Sequence, residues 1–145
     1  MRTRDVKLKV MLPTDIDSAY AAITNWSKQS DWMLSTRVWL SAGDGKTVGS
    51  EIAAFTGVWK LGFLDTMTIT KLAPPALVEV LHTGKMLRGE GKFALTQVSV
   101  NQTQFDWFER VEIPFGYLGL AVWWLIRPGF TLGVWYSLRK LAKTL

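Results

Sequence analysis

Apolar and polar residues alternate from the start of the chain. Val6, Leu8, Val10 and Leu12 interleave with Lys7, Lys9 and Met11, the period of a strand with one largely polar face. Pro13 ends the run, and the period changes. Ile16, Ala19, Tyr20 and Ile23 recur at helical spacing, which predicts a helix from Asp15 to about Trp26. Thr14 is its expected N-cap, and Asp15 and Asp17 suit the first turn, where the helix dipole favours acids. "SKQSDW" predicts a second short helix. From Thr36 the period returns to two. Six runs follow, "TRVWLS", "VGSEIAAFTGV", "FLDTMTITKL", "ALVEVLHT", "KMLRGEGKFALTQVSV" and "TQFDWFERVEI". Gly43-Asp44-Gly45, Ala73-Pro74-Pro75 and Asn101-Gln102 separate several of them, so the pattern predicts an antiparallel meander.

Pro114 ends the last predicted strand. After Pro128, residues Thr131, Val134, Trp135, Leu138, Leu141, Ala142 and Leu145 follow three-four spacing, with Arg139, Lys140 and Lys143 largely off the stripe. This predicts an amphipathic helix with cations near its C-terminus, where the dipole favours them. The apolar run Phe115–Ile126 is 12 residues long. At about 1.5 Å per residue it reaches about 18 Å, short of the ~30 Å of bilayer hydrocarbon. Extending it puts Arg127 near mid-span, at roughly 2.5–3.5 kcal/mol, and Pro128-Gly129 is expected to kink or break the helix. The segment is therefore predicted to pack on a curved sheet, with docking at a membrane surface as the alternative.

Composition sharpens this picture. Residues 1–145 read as one domain, 48% apolar, with eight tryptophans and seven phenylalanines. So many rings imply either an aromatic core or a ring-lined cavity. The net charge of +5 is compatible with an anionic lipid surface, while no recognition motif supports nucleic acid. The basic N-terminus lacks a long apolar stretch and does not read as a signal peptide, so the cytoplasm is the default expectation.

Cysteine is absent and His82 is the only histidine, so a zinc site is not expected and no metal or cofactor is called for. "GDGKT" ends like a phosphate-binding loop, but Leu40 stands where the motif needs glycine and a strand follows where it needs a helix, so a hairpin turn is the better reading. His82 reads as a strand histidine with an ordinary hydrogen bond, and as a proton shuttle if it faces a cavity. Glu51, Arg88, Glu90, Glu109 and Arg110 are charges at strand positions. Each is expected either to face solvent in an ordinary ion pair or to point inward with a shifted pKa.

Three stretches, "LPTDIDSAYAAITNWSKQSDWM", "FDWFERVEIP" and "LIRPGFTLGVWYSLRKLAK", resemble the START-like superfamily, also called SRPBCC or polyketide cyclase/dehydrase-like, to which Bet v 1-like proteins belong. The resemblance covers nearly the whole chain. It implies an α+β helix-grip fold: a bent seven-stranded antiparallel sheet around a long C-terminal helix, with two short helices after strand one. It also implies an apolar chamber between sheet and helix. Strand parity then nominates Phe63, Met67, Phe93, Trp107 and Glu109 as its lining, and the helix stripe adds Trp135 and Leu138. Trp59 joins them as a residue near a strand end, where the chamber's mouth is expected, and Trp32 as the tryptophan that the resemblance places at the close of the second short helix. The expected function is binding or transport of a hydrophobic small molecule such as a lipid, isoprenoid, quinone or polyketide. A cofactor-independent cyclase or dehydratase is the first alternative, and a membrane-surface or partner-binding module the second. No catalytic signature carries over residue by residue.

Overall fold

The computed structural model describes residues 2–85 and 87–145. Seven strands form one antiparallel sheet: β1 (Arg2–Leu12), β2 (Thr36–Ala42), β3 (Glu51–Val58), β4 (Leu61–Ala73), β5 (Leu77–Thr83), β6 (Arg88–Ser99) and β7 (Gln102–Ile113). Their spatial order is β1-β7-β6-β5-β4-β3-β2. The chain therefore starts at one edge, crosses to the other and returns as a meander. The crossing is made by α1 (Ile16–Ile23) and a 3₁₀ turn (Trp26–Asp31), and α2 (Gly116–Thr144) closes the chain. Register irregularities at Leu40/Ala42, Ile69/Lys71 and Gln97/Ser99 interrupt the ladders, and such bulges bend a sheet.

Local chemistry explains the element ends, with two differences from expectation. Asp15, not Thr14, caps α1: its carboxylate accepts from the Ser18 amide at 3.1 Å. Thr14 is instead tied down through its carbonyl, which accepts from Thr103 Oγ1 at 2.9 Å. The Gly43–Ser50 segment is a turn. Asp44 accepts from the Lys46 amide at 2.8 Å, and Trp26 Nε1 donates to the Gly45 carbonyl at 3.0 Å. Gly45 has φ +76, and a Cβ there would lie 2.5 Å from the Trp26 ring, so only glycine fits.

The second difference is in α2. The helix starts at Gly116 and runs through Pro128 without a break. The proline withholds the amide that would bond the Trp124 carbonyl. Residues 124–129 are all exposed, so solvent meets that carbonyl and the helix survives the loss. The defect remains costly. Pro128→Ala is expected to raise stability by about 2 kcal/mol, seen as a higher urea midpoint.

The second half of α2 grips the sheet. Val134, Leu138 and Leu141 are buried with Leu12, Ile23, Leu95 and Phe105. Ser137 Oγ accepts from the Leu34 amide at 2.8 Å and donates to the Gly133 carbonyl, fixing the helix against the entry to β2. The first half packs more thinly, through Trp123 against Val6, Val111 and Ile113.

Candidate functional site

Between the concave face of the sheet and α2 lies a chamber of about 90 Å³. Inward positions of β3 to β7 form its floor. Phe63, Asp65 and Met67 come from β4, Val78, Val80 and His82 from β5, Phe93 from β6, and Trp107 and Glu109 from β7. They recur at every second residue because alternate side chains on a strand face one side. Phe130 and Val134 of α2 cover it, and Trp26, Gln29 and Met33 close one flank. Most of this lining is apolar. Phe93 is the hub of its rings, 4.8 Å from Trp107, 5.2 Å from Phe105 and 6.4 Å from Trp26.

The chief polar feature is a cluster drawn from three strands. His82 Nδ1 lies 2.9 Å from Asp65 Oδ1, and His82 Nε2 lies 2.7 Å from Glu109 Oε2. All three residues are buried. The sheet builds this contact: Met67 pairs with His82, and His82 with Gly89, which in turn pairs with Val111. Asp65, His82 and Glu109 thus lie on neighbouring inward positions although 44 residues separate the first from the last. Burial opposes the charge on His82, but hydrogen bonds to both carboxylates, and their charges, outweigh it and push its pKa up to about 10. Burial raises the pKa of Glu109, against the hydrogen bond and charge of His82.

These directions fit one proton count. Each ring nitrogen faces a carboxylate oxygen, so each contact needs a hydrogen. The cluster therefore holds two protons, either as an imidazolium between two carboxylates or with one proton on Glu109. The two forms share a net charge of −1 and differ only in which side of the 2.7 Å contact carries the proton. The group titrates as a unit. With both nitrogens engaged, the ring offers no free lone pair to a metal.

Two neighbours bear on this cluster. A Cβ on Gly91 would lie 3.2 Å from both Glu109 oxygens and 2.9 Å from Val80 Cγ2, so the missing side chain makes room for the carboxylate. Gly91→Ala is expected to cost about 1–3 kcal/mol by overpacking, read from the denaturation midpoint. Trp107, beside the cluster on β7, has a buried Nε1 with no partner among the described residues. Its N–H is a buried donor on a residue that lines the chamber.

No protein-family model matches the chain, and neither does any curated protein. Solved structures do match, over nearly its whole length. The aromatase/cyclase Zhui from Streptomyces sp. R1128 superposes with a TM-score of 0.80 at 13% identity, covering 99% of this chain and 93% of its own. A START superfamily protein from Mycobacterium smegmatis gives 0.68 at 14%, covering 96% and 92%. Thalictrum flavum norcoclaurine synthase gives 0.70 at 10%, covering 99% and 94%. The chain has the START-like helix-grip fold.

The nominated residues occupy different parts of this helix-grip architecture. Phe63, Met67, Phe93, Trp107 and Glu109 lie together on the chamber wall. Trp32 is buried in the core beside α1 and α2, and its Nε1 has no partner among the described residues. Trp59 sits in the β3–β4 turn with φ +58 and is 84% exposed, outside the lining. Trp135 and Leu138 flank a separate groove with Lys9, Met11 and Gln104. Trp135 is half exposed there, its ring 5.1 Å from the Arg139 guanidinium, and Leu138 is a core residue. Of the five strand charges, only Glu109 points inward. Glu51 and Glu90 are exposed, Arg88 meets Glu112 at 3.6 Å, and Arg110 bonds Asp5 twice at 2.8 and 3.1 Å. Asp65 and Trp26 also line the chamber without having been nominated, and His82, expected to act as a proton shuttle only if it faces a cavity, does face one. Parity was the available signal for Asp65, which sits between Phe63 and Met67.

Proposed function

We propose that this chain binds a compact hydrophobic small molecule bearing a hydrogen-bonding group, held in the chamber between the sheet and α2. One observation carries this reading: an apolar, ring-lined chamber whose buried charges gather in a single cluster, with Trp107, whose buried indole N–H has no partner among the described residues, in the same lining. Such a site gains affinity from apolar burial and orientation from a few polar groups. The space suits a ring-sized group, such as a quinone or polyketide-like ring, better than a whole acyl chain. Met33 and Met67 are the lining side chains best able to yield to something larger. The likeness to a protein named as an aromatase/cyclase fits a ligand of this kind.

The test is native mass spectrometry of protein purified from cells, followed by thermal shifts against quinones, isoprenoids and aromatic polyketide analogues. A bound species, or a ligand that stabilises by about 2.7 kcal/mol at a hundred times its Kd, is expected. Protein that carries nothing and shifts with no member of the set refutes the reading.

A second reading rests on the 2.7 Å contact between His82 and Glu109. A carboxyl–imidazole pair that shares a proton at the wall of an apolar chamber is equipped for general acid–base chemistry. Glu109→Gln separates the two. If the bound molecule turns over, and this variant still binds it but stops the turnover, the cluster is catalytic. If the molecule is recovered unchanged, the chain is a carrier.

A further inference from the structure

The first half of α2 presents an apolar surface that the fold leaves open. Tyr117, Leu118, Trp124 and Leu125 are each at least 70% exposed, and Phe115, Val122 and Ile126 are exposed beside them. Only 11% of the helix's most apolar 18-residue stretch is buried. Single exposed hydrophobes need no explanation, but a contiguous patch of this kind marks an interaction site.

Strand register places a second apolar feature at the same end of the molecule. Arg2 pairs with Ile113, Gly89 with Val111, Thr83 with Arg88 and Val58 with Leu61. The start of α2, the N-terminal end of β1, the β5–β6 connection and the β3–β4 turn therefore share one end of the sheet. At that turn Val58, Trp59 and Leu61 are each at least 74% exposed. The chamber reaches toward this end too, through Thr36, Thr56, Phe63 and Leu87.

Charge identifies the occupant. No acid follows Glu112 in the sequence, while α2 carries Arg127, Arg139, Lys140 and Lys143. Arg2, Arg4, Lys60 and Lys85 are exposed at the same sheet end, with the Arg2 guanidinium 4.6 Å from the Tyr117 ring. Of the acids nearby, Asp5 is paired with Arg110 and Glu112 with Arg88, while Glu90 is exposed in the same register row as Arg110. A second copy docked on this face would bring cations against cations. An anionic bilayer brings the opposite charge. Exposed Trp59, Tyr117 and Trp124 suit the headgroup level, and Arg127 can lay its stem on the apolar face while its guanidinium reaches phosphate.

We propose that the exposed face of the first half of α2, together with the β3–β4 turn, docks the protein on an anionic lipid surface. Docking of this kind adds an interaction to the ligand chamber and does not depend on it. The experiment is co-sedimentation of the full chain with vesicles of phosphatidylcholine alone or with added phosphatidylserine. Pelleting with the anionic vesicles, weakened by salt, is expected. Trp124→Asp with Leu118→Asp should abolish it, and Arg127→Gln should weaken it about five-fold. All three side chains are exposed, so circular dichroism and thermal midpoint should stay unchanged. If the double variant misfolds, Arg127→Gln still carries the test. Equal binding to both vesicle types, binding to neither, or a self-association that Trp124→Asp dissolves would each overturn the proposal; the last would assign the face to a second copy.

Discussion

Replacing His82 with leucine is expected to cost about 3–5 kcal/mol of folding stability, the scale seen when a buried charge loses its partner. The substitution keeps the site filled but leaves Asp65 and Glu109 facing each other, buried and acid to acid. The pH dependence gives the claim its sharper form. In the native protein the His82 pKa is about 10, above its unfolded value of 6.5. A raised pKa means stabilisation that is fully present below about pH 6.5 and is lost as pH climbs through 10. The variant behaves oppositely at the acid end, because protonating the stranded Glu109, whose pKa burial already raises, relieves the repulsion. The gap between the two proteins should therefore be widest near pH 6.5 and should narrow toward both pH 10 and low pH. Urea midpoints across this range test it. A gap under about 1 kcal/mol, or one that stays flat from pH 6.5 to 10, would show that the protons His82 shares with Asp65 and Glu109 do not stabilise the fold. Adding Glu109→Leu to His82→Leu should restore part of the loss, since an apolar pair in that volume leaves less charge buried without a partner.

How legible was this cluster before the fold was known? The strands were readable because their turns carry chemistry: Asp44-Gly45 and Pro74-Pro75 do punctuate the sheet. Six strands in meander order follow from that pattern, and the first strand and the seven-stranded sheet from the alternation at the chain's start and the resemblance. Within a strand, parity assigns side chains to faces. Phe63 and Met67 face inward, as do Phe93, Trp107 and Glu109. The same rule put Asp65 inside, but an aspartate in a strand reads as solvent-facing until its partner is known. That partner is on the next strand, and the bulge between Ile69 and Lys71 intervenes in the register that aligns them. Residue spacing alone does not disclose such an alignment.

The helix was harder. Proline is a strong breaker in isolation, so the sequence pattern does not carry the apolar stretch before Pro128 into the grip helix. Tertiary context overrode that preference. Apolar residues also occupy nearly every face of Gly116–Ile126, so spacing could not say which of them touch the sheet. Trp59 lies outside the lining for a different reason. Its backbone turns at φ +58 in a tight hairpin, which carries the ring out of the strand's alternation and into solvent.

Phe93→Ala and Phe105→Ala, taken together, are expected to tell a ligand chamber from ordinary loose packing. The rings are neighbours, 5.2 Å apart and nearly edge-on, yet they differ in place. Phe93 is half buried and lines the chamber, whereas Phe105 is fully buried behind it and does not. Truncating Phe105 opens a closed void and should cost about 4 kcal/mol; truncating Phe93 should cost about 3 kcal/mol, because part of its surface already faces free space. Toluene separates the two losses. In Phe93→Ala the new void joins the chamber, so toluene at a hundred times its Kd should return about 2.7 kcal/mol. In Phe105→Ala the rings of Phe93 and Trp107 still stand between void and chamber, so toluene should stabilise this variant no more than it does the unsubstituted protein. Equal rescue of both, or of neither, would mean that the free space beside Phe93 is a packing defect that admits no ligand.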